Sequence, residues 1–291
     1  MMINGWWLPV VVSALCMGIY DICKKDAVKD NSVMPALFFT VLSGTLFFMA
    51  GAVCSGNLLN TLRCSFVEYF FVLIKSVIIS SSWICVYYGM RELPVTIASP
   101  IRSTSPVWTL IGGILIFSER PGLMQILGVI ICLIGYFMFF GLSSKEGFPW
   151  KSKGMVLTVA GSLLGAVSAL YDKVLLHQLN ISREVLQMYF FINLVLVMGI
   201  FTFIRHFFGQ KRAFIWKWTI PATGILIAIS DFCYFYGVSQ PDTPISVVSV
   251  VRRCSCAVTF VLGALIFRDK NIREKAWALA LLLAGVILLA F

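Results

Sequence analysis

The chain has 291 residues, of which 59% are hydrophobic and only 12% charged, against roughly 45–50% and about 25% in soluble globular domains. With a mean hydropathy of +0.92 spread along the whole length, a water-soluble globular protein is excluded and a polytopic membrane protein is expected. The net charge of +10 comes from short basic runs between apolar segments, so no extended basic face for nucleic acid is expected.

Apolar windows bounded by charged residues or by Gly and Pro predict ten helices along the chain. The first, over 5–23, follows MMINGWW, which has neither a basic n-region nor a small-residue cleavage site and reads as a retained span. The second covers 33–54 after KKDAVKDN, the third 67–90, the fourth 94–117 and the fifth 121–141. SSKEGFPWKSK leads into the sixth at 154–176, and the seventh covers 184–204. RHFFGQKRAFIWKW precedes the eighth at 218–238, followed by the ninth at 243–267 and the tenth at 274–291. Basic and aromatic flanks such as Trp6, Trp7, Trp150, Trp216, Trp218 and Trp277 are what membrane interfaces select. Trp83 and Trp108 fall inside spans, as core or as pocket wall. Lysines and arginines gather at odd-numbered connections (Lys24, Lys25 and Lys29; Arg91; Lys145, Lys151 and Lys153; Arg205, Lys211, Arg212 and Lys217; Arg268, Lys270, Arg273 and Lys275), while the even ones offer mainly Arg63, Arg120 and Arg183. The positive-inside bias thus puts the odd connections in the cytoplasm and both termini outside.

The most informative pattern is an internal repeat. Shifting the sequence by 150 positions puts Pro94 on Pro244, Ser99 on Ser249, Arg102 on Arg252, Ser105 on Ser255, Thr109 on Thr259, Gly113 on Gly263 and Gly135 on Gly285. At a shift of 151, Tyr20-Asp21 falls on Tyr171-Asp172. The expected fold is therefore an all-α polytopic membrane protein of ten transmembrane helices in two five-helix repeats, 1–143 and 154–291, joined by a linker at 144–153. Because five is odd, the second repeat enters the membrane inverted, and substrate sites in such proteins lie at the midplane between repeats.

The fourth and ninth spans hold the sharpest constellation. In IASPIRSTSPVWTLIGG, Ser99, Arg102, Pro106, Thr109 and Gly113 share one helix face with Ser105 beside them; VVSVVRRCSCAVTFVLGA repeats the stripe with Ser249, Arg252, Cys256, Thr259 and Gly263, with Ser255 in the matching place. Pro100 and Pro106 each remove a backbone donor and disturb the fourth helix, and broken helices at membrane depth line cavities. An arginine at the centre of a lipid-facing helix costs roughly 2.5–3.5 kcal/mol, so Arg102, Arg252, Arg253 and Lys75 should face protein or water. Asp231 is the clear mid-span acid against these four cations, and the surplus points to an anionic ligand held by guanidinium forks. The alternatives are arginines that tie helices together through carbonyls or snorkel to the interface, and an Asp231 that pairs with a cation or couples to protons. Tyr20, Asp21, Tyr171 and Asp172, near the ends of the first and sixth helices, are candidate gates or interfacial anchors. Glu119 and Asp269 are expected to orient and cap the helices that follow them. Gly112, Gly113, Gly128, Gly135 and Gly285 are expected to permit close helix packing.

No enzyme, metal or cofactor signature emerges. His177 and His206 lie apart from any nucleophile or carboxylate pairing, the nine cysteines show no disulfide framework, and Cys254 and Cys256 lack the partners of a zinc site.

With FSERPGLMQILGVIICLIGYFMFFGL closing the first repeat and FRDKNIREKAWALALLLAGVILLAF the second, the chain resembles the drug/metabolite transporter superfamily, most closely its EamA-type bacterial members. The resemblance covers nearly the whole chain and is most specific from Pro94 to Gly141. It implies a ten-helix transporter of the cytoplasmic or inner membrane, with a cavity lined mainly by the third, fourth, eighth and ninth helices and by the first and sixth. It also implies cytoplasmic termini, opposite to the charge bias. A narrower likeness is to triose-phosphate and nucleotide-sugar translocators, in which a basic residue lies four positions before a Pro in the fourth helix and a Lys-Arg pair lies in the ninth. Here Arg102 precedes Pro106 by four and Arg252-Arg253 supplies the pair. Arg stands for Lys twice, and Ser105 stands where an acid usually precedes the Pro.

The expected function is secondary transport of a small polar metabolite, an organic anion, phosphorylated or not, by alternating access. Arg102 and Arg252 would grip it, Arg253 and Lys75 tune the field, and Ser99, Ser105, Ser249, Ser255 and Thr259 hydrogen-bond it. The alternative is a proton-coupled exporter of neutral or aromatic amino acids or drugs, with Trp83, Tyr87, Trp108 and Tyr234 as the pocket and Asp231 as the coupling acid. A third reading is a lipid-binding or assembly protein whose polar stripes hold helices together. The expected partners are a small-molecule substrate and the lipid bilayer; the sequence leaves monomer and homodimer equally open.

Overall fold

Backbone amides buried in hydrocarbon must pair within their own segment, so so apolar a chain folds as helices. The computed structural model describes residues 7–56, 62, 64–117, 121–175, 179, 181–208, 213–238, 251–267, 269 and 271–288. Across them run α1 (Trp7–Val28), α2 (Val33–Cys54), α3 (Phe66–Glu92), α4 (Val95–Arg102), α5 (Ser105–Phe117), α6 (Leu123–Lys145), α7 (Lys153–Lys173), α8 (Arg183–Phe208), α9 (Thr219–Val238), α10 (Ser255–Phe267) and α11 (Ile272–Leu288). Six of them, α1, α2, α3, α6, α7 and α8, are long and apolar enough to cross a membrane. The fourth predicted helix is divided into α4 and α5, and α1 runs on to Val28 instead of stopping at 23. Part of the ninth predicted helix, including Pro244 and Ser249, lies outside the described residues, as do Glu119 and His177.

Local signals set several boundaries. Ser65 begins α3 with a capping box, in which the Glu68 amide donates to Ser65 Oγ at 3.2 Å and the Ser65 amide donates to Glu68 Oε2 at 2.7 Å. Asp30, at φ +57°, turns the chain from α1 into α2 in the left-handed region that a short polar side chain tolerates.

α1 lies along α9 and reaches α10, while α7 lies along α3 and reaches α5. α2 packs on α9 as α8 packs on α3, α2 meets α8, and α6 meets α11. Glycines permit the closest crossings. A Cβ at Gly44 would stand 2.8 Å from the Gly224 carbonyl oxygen, and one at Gly285 would stand 2.6 Å from the Cys132 amide nitrogen. Backbones in lipid approach this closely only where no side chain intervenes.

One face of the molecule is clasped by polar contacts between helix ends. Lys25 Nζ donates to the Met90 and Leu93 carbonyls at the end of α3, both at 2.6 Å. Lys217 Nζ donates to the Asp26 carbonyl at 2.6 Å, and Asn31 Nδ2 donates to the Ile215 carbonyl at 2.8 Å. Lys275, fully buried in α11, reaches Glu146 Oε1 at 2.8 Å and Thr96 Oγ1 at 3.2 Å. Asp269 accepts from Thr96 Oγ1 at 2.5 Å and from the Thr96 amide at 3.3 Å. It thus caps α4, a helix distant in sequence, whereas the sequence led us to expect it at the helix that follows.

Candidate functional site

The break between α4 and α5 builds the site. In a continuous helix residue 106 would donate to the carbonyl of residue 102, and a proline there cannot. The chain instead tightens: the Ser103 amide donates to Ser99 and Pro100, Thr104 to Ile101 at 3.2 Å, and Val107 to Thr104 at 2.9 Å. Ser103 Oγ and Thr104 Oγ1 donate to the Ser99 and Ile101 carbonyls as well. The same pattern recurs 150 residues on, where the Cys254 amide donates to Val251 at 3.1 Å and Ala257 to Cys254 at 3.0 Å. Cys256 stands there in the place of Pro106. Each break follows directly on arginine, Arg102 in one segment and Arg252-Arg253 in the other.

These arginines converge. A cavity of about 190 Å³ is lined by Asp21 and Met17 of α1, by Ser99, Arg102 and Ser103, by Tyr234 of α9, and by Arg252, Arg253 and Ser255. A second, of about 120 Å³, is lined by Tyr20, by Trp83, Tyr87 and Ser82 of α3, by Ser105, and by Ser162 with Gly161 and Gly165 of α7. Arg102 and Arg253 line both and form the partition between them.

Charge is balanced unevenly around the first cavity. Asp21 is a hub in its lining: Arg102 Nη1 and Lys24 Nζ each donate to its Oδ1 at 2.6 Å, and Ser99 Oγ donates to its Oδ2 at 2.9 Å. Lys24 is fully buried, with its ammonium 4.3 Å from the Tyr20 ring centre and 5.7 Å from that of Tyr87. In the same lining Arg252 forms a salt bridge with Asp231, and its guanidinium stands 4.2 Å from the Tyr234 ring centre. Arg253 forms no ion pair with a carboxylate among the described residues.

The structure brings together Arg102, Arg252, Arg253, Ser99, Ser105, Ser255, Tyr234, Trp83 and Tyr87 from the expected binding set, with Tyr20 and Asp21 from the expected gates. Other members lie elsewhere. Lys75 forms a salt bridge with Asp172, its ammonium 4.8 Å from the Phe190 ring centre, and neither residue lines the two cavities. Tyr171 OH donates to the Phe71 carbonyl at 3.4 Å. Thr259 Oγ1 ties α10 to α1 through the Gly18 carbonyl at 3.3 Å. The Trp108 indole N–H is buried without a hydrogen-bond partner, away from both cavities. Ser249 lies outside the described residues. Sequence reasoning missed Lys24 as a member of the core, and Ser82, Ser103 and Ser162 as wall residues. Ser103 sits on the stretch already singled out and could have been found from the break itself; the others carry no local signal.

Residues 5–141 match the EamA-like transporter family. Among curated relatives, a Haemophilus influenzae protein named an uncharacterized transporter is 22% identical over 182 residues, 62% of this chain and 59% of that protein. An Archaeoglobus fulgidus uncharacterized transporter is 22% identical over 97% of both chains. Uncharacterized transporter YxxF of Bacillus subtilis is 24% identical over 47% of this chain and 44% of its own length. The aligned region thus spans less than two thirds of the Haemophilus and Bacillus relatives. A solved crystal structure superposes with a TM-score of 0.69 over 98% of this chain and 96% of its own, at 14% identity, which shows a shared fold.

Proposed function

From a chain whose residues 5–141 match the EamA-like transporter family, we propose a secondary transporter that moves a small organic anion, phosphorylated or not, across the bacterial cytoplasmic membrane by alternating access. The observation that carries this reading is the meeting of three guanidiniums, from Arg102, Arg252 and Arg253, on one cavity whose lining, among the described residues, supplies a single carboxylate, Asp21, with Asp231 behind Arg252. Guanidinium forks match carboxylate and phosphate oxygens, and a surplus of them inside a membrane calls for an anionic partner. Ser99, Ser103 and Ser255 supply hydrogen bonds around it.

The reading rests on two inverted halves, 1–143 and 154–291, rocking about the cavity. The matched packing of α1 on α9 with α7 on α3, and of α2 on α9 with α8 on α3, supports it. So does the shared hydrogen-bond pattern at Thr104 and Cys254. Gating falls to Asp21, which would release Arg102 as an anion enters, to Tyr20 beside it, and to the Lys75–Asp172 pair next to Tyr171. Uptake into proteoliposomes tests the function: labelled organic anions should accumulate or exchange, and other anions should compete.

The aromatic lining of Trp83, Tyr20 and Tyr87 in the second cavity favours a second reading, a proton-coupled exporter of neutral or aromatic compounds with Asp231 as the coupling acid. Transport that requires a pH gradient, is lost in Asp231→Asn and ignores competing anions would select it over the first.

A further inference from the structure

The short helix α4 joins the first cavity to the polar clasp at one face of the molecule. One end carries Ser99 and Arg102 into the cavity lining. The other is held by α11 and the connection before it: Asp269 Oδ2 accepts from the Thr96 amide and from Thr96 Oγ1, and Lys275 Nζ donates to that same hydroxyl oxygen at 3.2 Å and to the two Glu146 oxygens at 2.8 and 2.9 Å. Lys25 of α1 adds its ammonium on the Leu93 carbonyl, just before α4 begins. Thr96 and Arg102 lie about 9 Å apart along the helix, and exposure changes over that length. Thr96 is fully buried and Ser99 2% exposed, while the Arg102 side chain is 21% exposed and that of Arg252 20%. Lys24 and Lys275 on the clasp side are fully buried, with Val95, Ile97, Ala98 and Ile101 of α4. Water thus reaches the arginines but not the clasp. The clasp is also built to let go. The Thr96 hydroxyl stands between Asp269 and Lys275, so if α4 withdraws it, the two opposite charges are left beside each other to pair, and no buried charge is stranded.

Resting on the alternating-access reading, we infer that the contact of Thr96 with Asp269 and Lys275 is a gate: while made it closes the clasp face of the cavity, and its release lets α4 move with Ser99 and Arg102 as that face opens. A contact that merely braced the fold would stay made throughout the cycle. A gate opens in it, so weakening the contact shifts the balance toward the state open at that face.

Reagent access to the cavity tests this without a transported substrate. The probe is the membrane-impermeant reagent methanethiosulfonate ethylsulfonate, applied to either face of proteoliposomes that carry the full chain with Ser103→Cys in the cavity lining, and labelling is read on the peptide holding position 103. Lys151→Cys, on the exposed connection after Glu146, marks the clasp face. Thr96→Val keeps the shape and removes the hydroxyl; Asp269→Asn keeps a capping oxygen and removes the charge. Each should raise labelling from the clasp face about fivefold, the effect of one hydrogen bond on a two-state balance. Lys145→Gln, which breaks the exposed Lys145–Glu274 pair on the same face, should leave labelling unchanged. Clasp-face labelling that stays at its starting rate in both clasp variants would overturn the gate and leave the anion reading intact. A rise as large in Lys145→Gln would overturn it too, by showing a general loosening of that face. Position 103 unreachable from either face in every protein would overturn the cavity as a transport route, and the gate with it.

Discussion

Asp21 accepts hydrogen bonds from Arg102, Lys24 and Ser99 at once, so its removal strands two cations in a buried place. Breaking a buried pair from one side costs about 3–5 kcal/mol, and Asp21→Asn should show a loss of that order in the unfolding of the detergent-solubilised protein. Asp231, more exposed and paired among the described residues with Arg252 alone, should lose less when changed to Asn. Adding Lys24→Met to Asp21→Asn should recover part of the loss, because the double variant removes a stranded charge along with its counter-ion. A double variant less stable than the single would contradict the assignment of Lys24 to this hub. Arg102 and Arg252 were legible in the sequence because an arginine deep in an apolar segment has to be accounted for. Lys24 was not. Its span was expected to end at 23, which counted it among the loop charges, but α1 continues to Val28 and carries it into the core. The repeat also misleads at single residues: Asp172, the counterpart of Asp21, pairs with Lys75, while Arg252 takes its carboxylate from Asp231.

The break between α4 and α5 shows how an element can be foreseen for an incomplete reason. Two prolines mark it in the sequence, yet the chain turns with the same hydrogen bonds at Cys254, where the corresponding position is Cys256. The break thus forms without a proline at that position, and Pro106→Ala should keep transport within about twofold of wild type, since a proline in the first turn of α5 gives up only an amide that the break already leaves without an intrahelical partner. Loss of transport in that variant would make the proline itself the cause of the break. The clasp at Lys275 is the other device at this scale. Lys275→Met leaves Glu146 buried without its cation and should cost about 3–5 kcal/mol in unfolding; a shift within error of wild type would show that the clasp contributes nothing. Lys275 falls next to a basic connection and reads as a topological charge, so only the approach of Glu146 and Thr96 from other helices reveals it.

Across the described residues, most helices were legible, because hydrocarbon imposes length and apolarity on each element, though the fourth expected span is divided and α1 runs past its expected end. Which cations face one another was not, since that depends on packing between helices distant in sequence: α1 meets α9 and α10, and α7 meets α3 and α5. On the proposed function, the guanidinium partition holds the transported anion. Arg253 is the sharpest probe of it, because it lines both cavities and forms no ion pair among the described residues, so its loss strands no carboxylate. The decisive measurement is the KM for anion uptake by proteoliposomes carrying wild type or Arg253→Gln, with unfolding temperatures recorded alongside. A rise of about tenfold or more in KM, with the unfolding temperature little changed, is the predicted result. An Arg253→Gln protein that takes up the anion with wild-type KM and rate would contradict the account.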